Sequence, residues 1–291
     1  SFFCLIYTLD EGDDWTDERN WVKCSPNLGI TVSKEWLASQ VQQAKQNPSD
    51  EVGVKTKNLN IWCDSSNVWI PSHYIKQQMR KIDLTDFIGR DDVLVYAGVD
   101  LSSVSDLTAV SYMVFDTNNN NYYFKTFYYL PESCVDDKFN KELYKIWAAH
   151  GDLKLTKGNV VDYNYITNDL KYWCEQLNVR KIAYDAWNAT QWSVQCKEEG
   201  LPIQEFSQSI GNFNRGTKEI ERLILSNKAY IDRNNITRFC FDNVELRVDM
   251  NGNSKPDKSV SQKKIDGVIA MIEALGIYLL DNHGTGEIMV F

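Results

Sequence analysis

The chain has 291 residues, of which 43% are hydrophobic and 24% charged, and its formal net charge is −9 at pH 7. This composition is typical of a folded globular chain and excludes collagen-like, coiled-coil and wholly disordered proteins. We expect no membrane span, because Glu273 interrupts the longest apolar segment and no apolar run reaches about 18 residues. The negative charge argues against a protein that coats nucleic acid, but it is compatible with carboxylates that hold metal ions.

The cysteines indicate the redox compartment of the protein, and the first residues of the chain show whether it begins with a signal peptide. Seven cysteines are scattered along the sequence and no Cys-x-x-Cys pair occurs, which predicts a reducing compartment and no zinc cluster. The sequence begins at Ser1 in an apolar stretch, without an initiator Met or a basic leader. We therefore expect the cut end of a longer protein and not a signal peptide.

The first sixty residues differ in pattern from those that follow. Ser33 is a typical helix N-cap, with Glu35 in the first turn, and the predicted helix continues to about Gln46, where Asn47-Pro48 stops it. Acidic and Pro-containing turns surround this helix. We predict that residues 1–60 form a connecting segment and that residues 61–291 form the main domain.

Three strands are predicted in succession from residue 93 onward. Residues 93–99 are continuously apolar and end at Asp100, as expected of a strand buried on both faces. Residues 107–115 and 122–130 form the second and third strands, and the asparagines at 118–121 supply a tight turn between them. Strands joined by such short turns predict an antiparallel meander.

Helical and strand patterns alternate after the meander. Strands are predicted at 181–184 and 203–206, and helices at 137–149, 163–177, 190–199, 218–227 and 262–280. Residues 255–264 are predicted to be a solvated loop. A meander followed by such units predicts an α/β fold with a mixed β-sheet flanked by helices.

Three aspartates stand at positions where this fold would bring side chains together. Asp100 and Asp185 each end a predicted strand, and Asp266 lies at the start of the last helix, followed by Gly267, which allows close packing on the sheet. Each acid taken singly also fits a turn or helix-end role. Together they would repel one another unless cations neutralise them, and carboxylate oxygens suit Mg²⁺ or Mn²⁺. A pair of such ions supports phosphodiester hydrolysis.

Three strings that contain these acids resemble a known family. They are GVDLSSVSDLT at 98–108, YDAWNATQ at 184–191 and KIDGVIA at 264–270. In this order they resemble the nuclease domain of the tailed-bacteriophage terminase large subunit, which has an RNase H-like fold and cuts concatemeric viral DNA during packaging. The resemblance extends upstream, to the end of the family's ATPase domain and its linker, through Asp13-Asp14-Trp15, Trp21, Ser25-Pro26-Asn27 and Asn58 to Trp62.

The resemblance implies roles for the matching residues. Asp100, Asp185 and Asp266 would be the catalytic acids that hold two divalent cations, Mg²⁺ or Mn²⁺, and Asp106 would be a further ligand or a supporting group. Lys263 stands where some relatives carry a histidine, which puts a metal-ligand role at that position in doubt. The implied partners are double-stranded DNA, the portal protein and the terminase small subunit, with no membrane, in the cytoplasm of the bacterial host.

Local basic residues would have to contact DNA in so acidic a chain. They lie in two groups, which are Arg215 and Lys218, and Lys258, Lys263 and Lys264. Lysine and arginine in these positions would bind phosphates without distinguishing bases. No Walker A motif is present, since Thr217 and Lys218 follow Gly211–Gly216 in the wrong order. We therefore expect ATP hydrolysis to belong to a part of the protein outside this sequence.

Two other functions are compatible with parts of the pattern. An actin-like ATPase or sugar kinase also begins with a strand, an aspartate and a hydroxyl-rich turn, but it needs a second, glycine-rich turn that binds phosphate. A non-catalytic interaction module could use the same acids to bind a structural cation. The metal-dependent endonuclease is the function that the sequence favours.

Overall fold

The computed structural model describes residues 3, 5–10, 12–63, 69–102, 107–136, 140–186, 189–258 and 264–283. The chain divides into two compact units, Ser1–Ser72 and His73–Phe291. The boundary predicted from the sequence, between residues 60 and 61, precedes this division.

The first unit is helical. It contains a 3₁₀ turn (Glu18–Asn20) and helices α1 (Trp21–Cys24), α2 (Lys34–Gln46) and α3 (Pro48–Asn58). The predicted start of α2 is confirmed, because the Ser33 hydroxyl accepts a hydrogen bond from the Trp36 amide at 3.2 Å. Helix α3 was not predicted: Pro48 occupies its first turn, where a missing N–H costs nothing, and so separates two helices.

The second unit carries the sheet and the remaining helices. The strands are β1 (Met79–Arg80), β2 (Val93–Asp100), β3 (Thr108–Asp116), β4 (Asn121–Pro131), β5 (Lys154–Thr156), β6 (Lys181–Tyr184), β7 (Ile203–Glu205), β8 (Ala229–Asp232), β9 (Leu246–Val248) and β10 (Ser254–Pro256). The helices are α4 (Ser72–Gln78), α5 (Lys141–His150), α6 (Tyr163–Leu177), α7 (Thr190–Glu198), α8 (Ile210–Leu225), α9 (Asn235–Asp242) and α10 (Asp266–His283), with 3₁₀ turns at Leu84–Phe87 and Glu132–Asp136.

The predicted mixed sheet is confirmed. Its strand order is β1-β8-β4-β3-β2-β6-β7, and β5 also pairs with β4. Strands β2, β3 and β4 form the predicted antiparallel meander. The pairs β2–β6, β6–β7, β4–β8 and β8–β1 are parallel. Strands β9 and β10 form a separate antiparallel hairpin.

Helices cover both faces of the sheet. Helix α10 packs on β2 and β3, and α8 and α9 pack against α10. Residues from α6 and α7, such as Leu170 and Trp192, share a buried cluster with Val95 and Ile182 on the opposite face. Within the described ranges, no helix combines the length and the apolar character that a membrane crossing needs.

The contact between α10 and β2 is direct, with backbone against backbone. At Gly98, an added Cβ would overlap the Ala270 carbonyl oxygen and would come within 2.6 Å of the Ala274 amide nitrogen and 2.8 Å of Glu273 Cβ. Only glycine fits this position in β2 without displacing the helix. Gly98 therefore fixes the distance between α10 and the strand that ends in Asp100.

Several parts of the second unit differ from the sequence prediction, which also did not include α4, β1 and β5. Helix α8 begins at Ile210 and not at Lys218, because Ser209 caps it by accepting a hydrogen bond from the Asn212 amide. Strand β8 and helix α9 were not predicted, and neither was the β9–β10 hairpin, which includes part of the expected loop at 255–264. Gly211 and Gly216 argued against a helix in this segment, because glycine has a low helix propensity. In the structure, Gly216 lies against Ile272 of α10.

We expect Gly98→Ala to lower the free energy of unfolding by about 1–3 kcal/mol or more, because the new methyl group has no space between β2 and α10. Denaturant unfolding of the chain measures this change. Gly211→Ala is the matched control, since this glycine is also in the second unit but its Cβ would meet open space. The control should be neutral or stabilising by up to about 1 kcal/mol. Equal effects of the two substitutions would contradict the packing argument.

Candidate active site

Two of the predicted acids lie at the carboxyl ends of neighbouring strands of the sheet. Asp100 is the last residue of β2, and Asp185 directly follows β6. The two strands are parallel, with Gly98 opposite Ala183 and Val99 opposite Tyr184, so Asp100 and Asp185 are the next positions in the same register. Because Asp100 lies two residues after Gly98, its side chain points to the same face of the sheet, toward α10.

The third acid reaches this edge through the position of α10. Asp266 is the first residue of the helix, and Gly267 lies against Tyr128 of β4. A Cβ at Gly267 would be 2.6 Å from Tyr128 Cζ, so the start of the helix rests directly on that ring. The Tyr128 hydroxyl is held by Thr237 of α9, with 2.8 Å between the oxygens. The sequence prediction that Gly267 allows close packing is confirmed.

A lysine joins two of the acids. The Lys258 ammonium donates to Asp100 Oδ2 at 2.6 Å and to Asp266 Oδ1 at 2.9 Å. The two carboxylates are almost completely buried, each residue being 5% exposed, whereas the Lys258 side chain is 47% exposed. The structure thus brings Asp100 and Asp266 together around one positive charge.

Burial dominates the protonation behaviour of this cluster. Burial raises the pKa of Asp100 to about 7, against the opposing attraction of Lys258 and with a further increase from the charge of Asp266. Burial by itself would lower the pKa of Lys258, but attraction to Asp100 and Asp266 outweighs it, so that the pKa lies above its ordinary value. The ammonium therefore keeps its charge while the acid beside it is easily protonated.

Glu273 is a fourth acid near the site, and the sequence analysis did not assign it a role. It is completely buried, and Gln208 donates to its Oε1 at 3.0 Å. Burial raises the pKa of Glu273 well above its ordinary value, and the nearby charges of Asp100 and Asp185 add to this increase. The sequence pattern indicates a position near the site, because Glu273 is the acid that interrupts the apolar α10 on the face that carries Asp266.

The oxygens of this cluster suit a hard divalent cation. Within the described part of the chain, Asp266 Oδ2 and Glu273 Oε2 are buried and have no hydrogen-bond partner. Buried carboxylate oxygens without partners are costly unless a cation or a donor satisfies them. No three acidic, histidine or cysteine side chains in the same ranges are arranged closely enough to chelate one ion. The residue types thus fit Mg²⁺ or Mn²⁺, and joint coordination by Asp100, Asp185 and Asp266 stays a prediction.

The other predicted site residues are placed as follows. Asp106 and Lys263 lie outside the described residues. Arg215 and Lys218 are inside α8, so the sequence interpretation of a loop and helix start is wrong there. Lys218 is exposed and donates to the Gly252 carbonyl oxygen at 3.1 Å. DNA contact by these residues, by Lys258 and by Lys264, which lies just before α10, stays a prediction.

Comparison with known proteins places the chain in a family. A family model described as "Terminase large subunit, endonuclease domain" matches residues 1–281. The chain belongs to this family. It is 31% identical over 96% of its length to Protein YmfN of Escherichia coli K12, of which it covers 63%. It is 26% identical over 94% of its length to the terminase large subunit of Enterobacteria phage HK97, of which it covers 54%.

A solved structure confirms the architecture of this terminase nuclease domain. The crystal structure of the HK97 bacteriophage large terminase matches 94% of this chain and 57% of that chain, with a TM-score of 0.64 and 24% sequence identity. At this identity the likeness establishes the fold. The chain spans between about half and two thirds of the length of the relatives it matches.

The buried Glu273 predicts a pH dependence of stability. Because the folded-state pKa of Glu273 is raised, ionisation opposes folding, and the stability lost grows as the pH rises above the ordinary glutamate value of 4.5. Glu273→Gln removes the charge and keeps Oε1 for Gln208. We therefore expect the variant to gain several degrees of melting temperature relative to the unaltered chain between about pH 5 and pH 8, measured in EDTA.

The control for this comparison is Glu198→Gln, on the exposed surface of α7. The difference in melting temperature between this control and the unaltered chain should not change with pH. A pH-independent difference for Glu273→Gln as well would show that the Glu273 carboxyl does not ionise differently in the folded and unfolded states.

Proposed function

We propose that this domain is the metal-dependent DNA endonuclease of a phage genome-packaging terminase, with an RNase H-like fold. It would hydrolyse phosphodiester bonds of concatemeric viral DNA with two divalent cations, Mg²⁺ or Mn²⁺. The observation that carries the proposal is the convergence of the buried Asp100 and Asp266 at the sheet edge where Asp185 also emerges. Membership of the endonuclease-domain family supports it.

The proposed role of the three acids is to bind the metal ions. Asp100, Asp185 and Asp266 would hold the cations, and Asp106 would be a further ligand or a supporting group. The backbone positions of Asp100, Asp185 and Asp266, on a strand end, a neighbouring strand end and a helix start, are fixed by the fold, and their side chains would close on the ions. When bound, the cations supply Lewis-acid polarisation of the scissile phosphate and lower the pKa of water.

Basic residues near the site would hold the DNA backbone. Lys218 is exposed on α8, and Lys264 stands two residues before Asp266. With Arg215 and Lys263 they would bind phosphates, because lysine and arginine displace the counterions condensed on DNA. Lys258 would join them only when its ammonium is not held by Asp100 and Asp266. Contacts of this kind suit cleavage with little sequence preference.

The rest of the proposal follows from the family. Residues 1–60 would be the end of the ATPase domain and its linker, and residues 61–291 the nuclease domain. Double-stranded DNA, the portal protein and the terminase small subunit would be the partners, in the cytoplasm of the bacterial host. The observed α8 weakens the kinase-like alternative, because residues 211–218 are helical and supply no glycine-rich phosphate loop.

Removal of each proposed ligand tests the function. We expect Asp100→Asn, Asp185→Asn and Asp266→Asn each to reduce Mn²⁺-dependent nicking of supercoiled plasmid by more than about 100-fold, because each removes a charged ligand. EDTA should abolish nicking by the unaltered chain. Initial rates from gel analysis of nicked and linear DNA measure the effect.

Asp91→Asn is the matched control, since Asp91 is an exposed acid in the turn before β2. This variant should keep the activity of the unaltered chain. Full activity in all three ligand variants would refute the nuclease site. ATP turnover without DNA cleavage would favour the kinase-like function, and cation binding with neither activity would favour the interaction module.

Salt dependence of DNA binding tests the basic residues. We expect Lys218→Ala and Lys264→Ala to weaken binding of a duplex, and each to reduce the slope of log K against log[salt] by about 1, because each loses one phosphate contact. Fluorescence anisotropy in Ca²⁺ over a KCl series measures this. Lys76→Ala, on the exposed surface of α4, should leave the slope unchanged. An unchanged slope for Lys218→Ala and Lys264→Ala would show that these two lysines do not contact the DNA phosphates.

A further inference from the structure

The position of the Lys258 ammonium is unusual for a surface lysine. It lies between two carboxylates that are each only 5% exposed, and it contacts one oxygen of each, Asp100 Oδ2 and Asp266 Oδ1. Two buried like charges this close need a compensating cation whenever both are ionised. In this structure the chain supplies that cation from its own sequence.

A divalent ion held by the same two acids would draw on the same two carboxylates, one oxygen of each being already bound by the Lys258 ammonium. Asp100 and Asp266 would help to hold a divalent cation, and Lys258 Nζ now lies 2.6 Å and 2.9 Å from one oxygen of each carboxylate. An ammonium and a divalent ion that shared these carboxylates would also repel one another. The two cations therefore compete for one place.

The surroundings of Lys258 allow it to leave. Its side chain is 47% exposed, so part of it already lies at the protein surface. The hairpin that precedes it is fixed on α8 and on the segment before it: the Ser254 amide donates to Asn214 Oδ1 at 3.0 Å, and Lys255 donates to the Gln208 carbonyl oxygen at 2.9 Å. The backbone can stay in place while the four-carbon side chain of Lys258 turns outward.

We propose that Lys258 is a resident counter-cation of the acidic site and that a divalent metal ion displaces it. Binding of the Lys258 ammonium and of the metal ion between Asp100 and Asp266 are mutually exclusive. The ammonium neutralises the acids before the metal arrives, and metal binding releases it to the surface beside them. This inference rests on the proposed metal site and adds that the Lys258 ammonium competes with the metal ion for that site.

Metal affinity gives the first test. Isothermal titration calorimetry with Mn²⁺ compares the unaltered chain with Lys258→Met, which keeps the length of the side chain and removes its charge. We expect the variant to bind Mn²⁺ at least about 10-fold more tightly, because no internal cation has to be displaced. Lys76→Met, on the exposed surface of α4, is the control and should bind Mn²⁺ as the unaltered chain does. Equal or weaker Mn²⁺ binding by Lys258→Met would overturn the inference.

A second measurement uses the unaltered chain and separates displacement from simple charge repulsion. In ¹⁵N-lysine NMR, an ammonium held by two carboxylates exchanges slowly with water, and the Lys258 signal is assigned by its loss in Lys258→Arg. Saturating Mg²⁺ should remove or shift this signal, while the signals of lysines away from the site keep their positions. Persistence of the Lys258 signal at Mg²⁺ saturation would overturn the inference.

The outcomes distinguish this inference from the function on which it rests. If Mn²⁺ binds and the Lys258 signal does not respond, the metal site stands and the displacement is refuted. If neither the unaltered chain nor Lys258→Met binds Mn²⁺, the metal site itself is refuted, and the inference falls with it.

Discussion

The close approach of α10 to the sheet is the constraint on which the site depends. Gly98 lets the helix backbone rest on β2, and Gly267 lets its first turn rest on the Tyr128 ring. These two contacts fix both ends of the segment between Asp266 and Glu273. Asp100 is fixed by the strand itself, two residues after Gly98. The relative positions of three acids thus follow from backbone packing and not from hydrogen bonds between their side chains.

This packing has an electrostatic cost. A helix that lies so close to the strand excludes water from the acids beneath it, and burial raises the pKa values of Asp100 and Glu273. Lys258 and the side-chain amide of Gln208 offset part of that cost by donating to these carboxylates. The compensation is incomplete, because Asp266 Oδ2 and Glu273 Oε2 lack hydrogen-bond partners within the described residues. Such a pocket is arranged to gain free energy when it receives positive charge.

The sheet and the positions of Asp100, Asp185 and Asp266 could be predicted because their signals are local. A continuous apolar strand that ends in an acid, and an acid followed by glycine at a helix start, are visible in a few residues each. The prediction that Asp100 and Asp185 emerge at the same edge required β2 and β6 to be neighbours, and the structure shows these strands paired in parallel.

The parts that were missed depend on contacts between distant segments. Gly216 argued against a helix by local propensity, but it lies where α8 meets Ile272, so tertiary packing overrides the propensity. Lys258 was predicted near the site only as a DNA contact, and its contact with Asp100, which lies 158 residues away in the sequence, was missed because the fold creates it. Spacing in a sequence does not reveal such a pair, because nothing local to either residue records the other.

The outer strands of the sheet also have a consequence for how the domain behaves in a crowded solution. Strand β1 has two residues and β7 has three, so each lateral border offers few backbone groups to an incoming strand. Arg80 on β1 stacks on the Tyr230 ring, 3.7 Å from its centroid, and Glu205 ends β7 with a charge. Short borders that carry charge disfavour edge-to-edge pairing between copies of this domain.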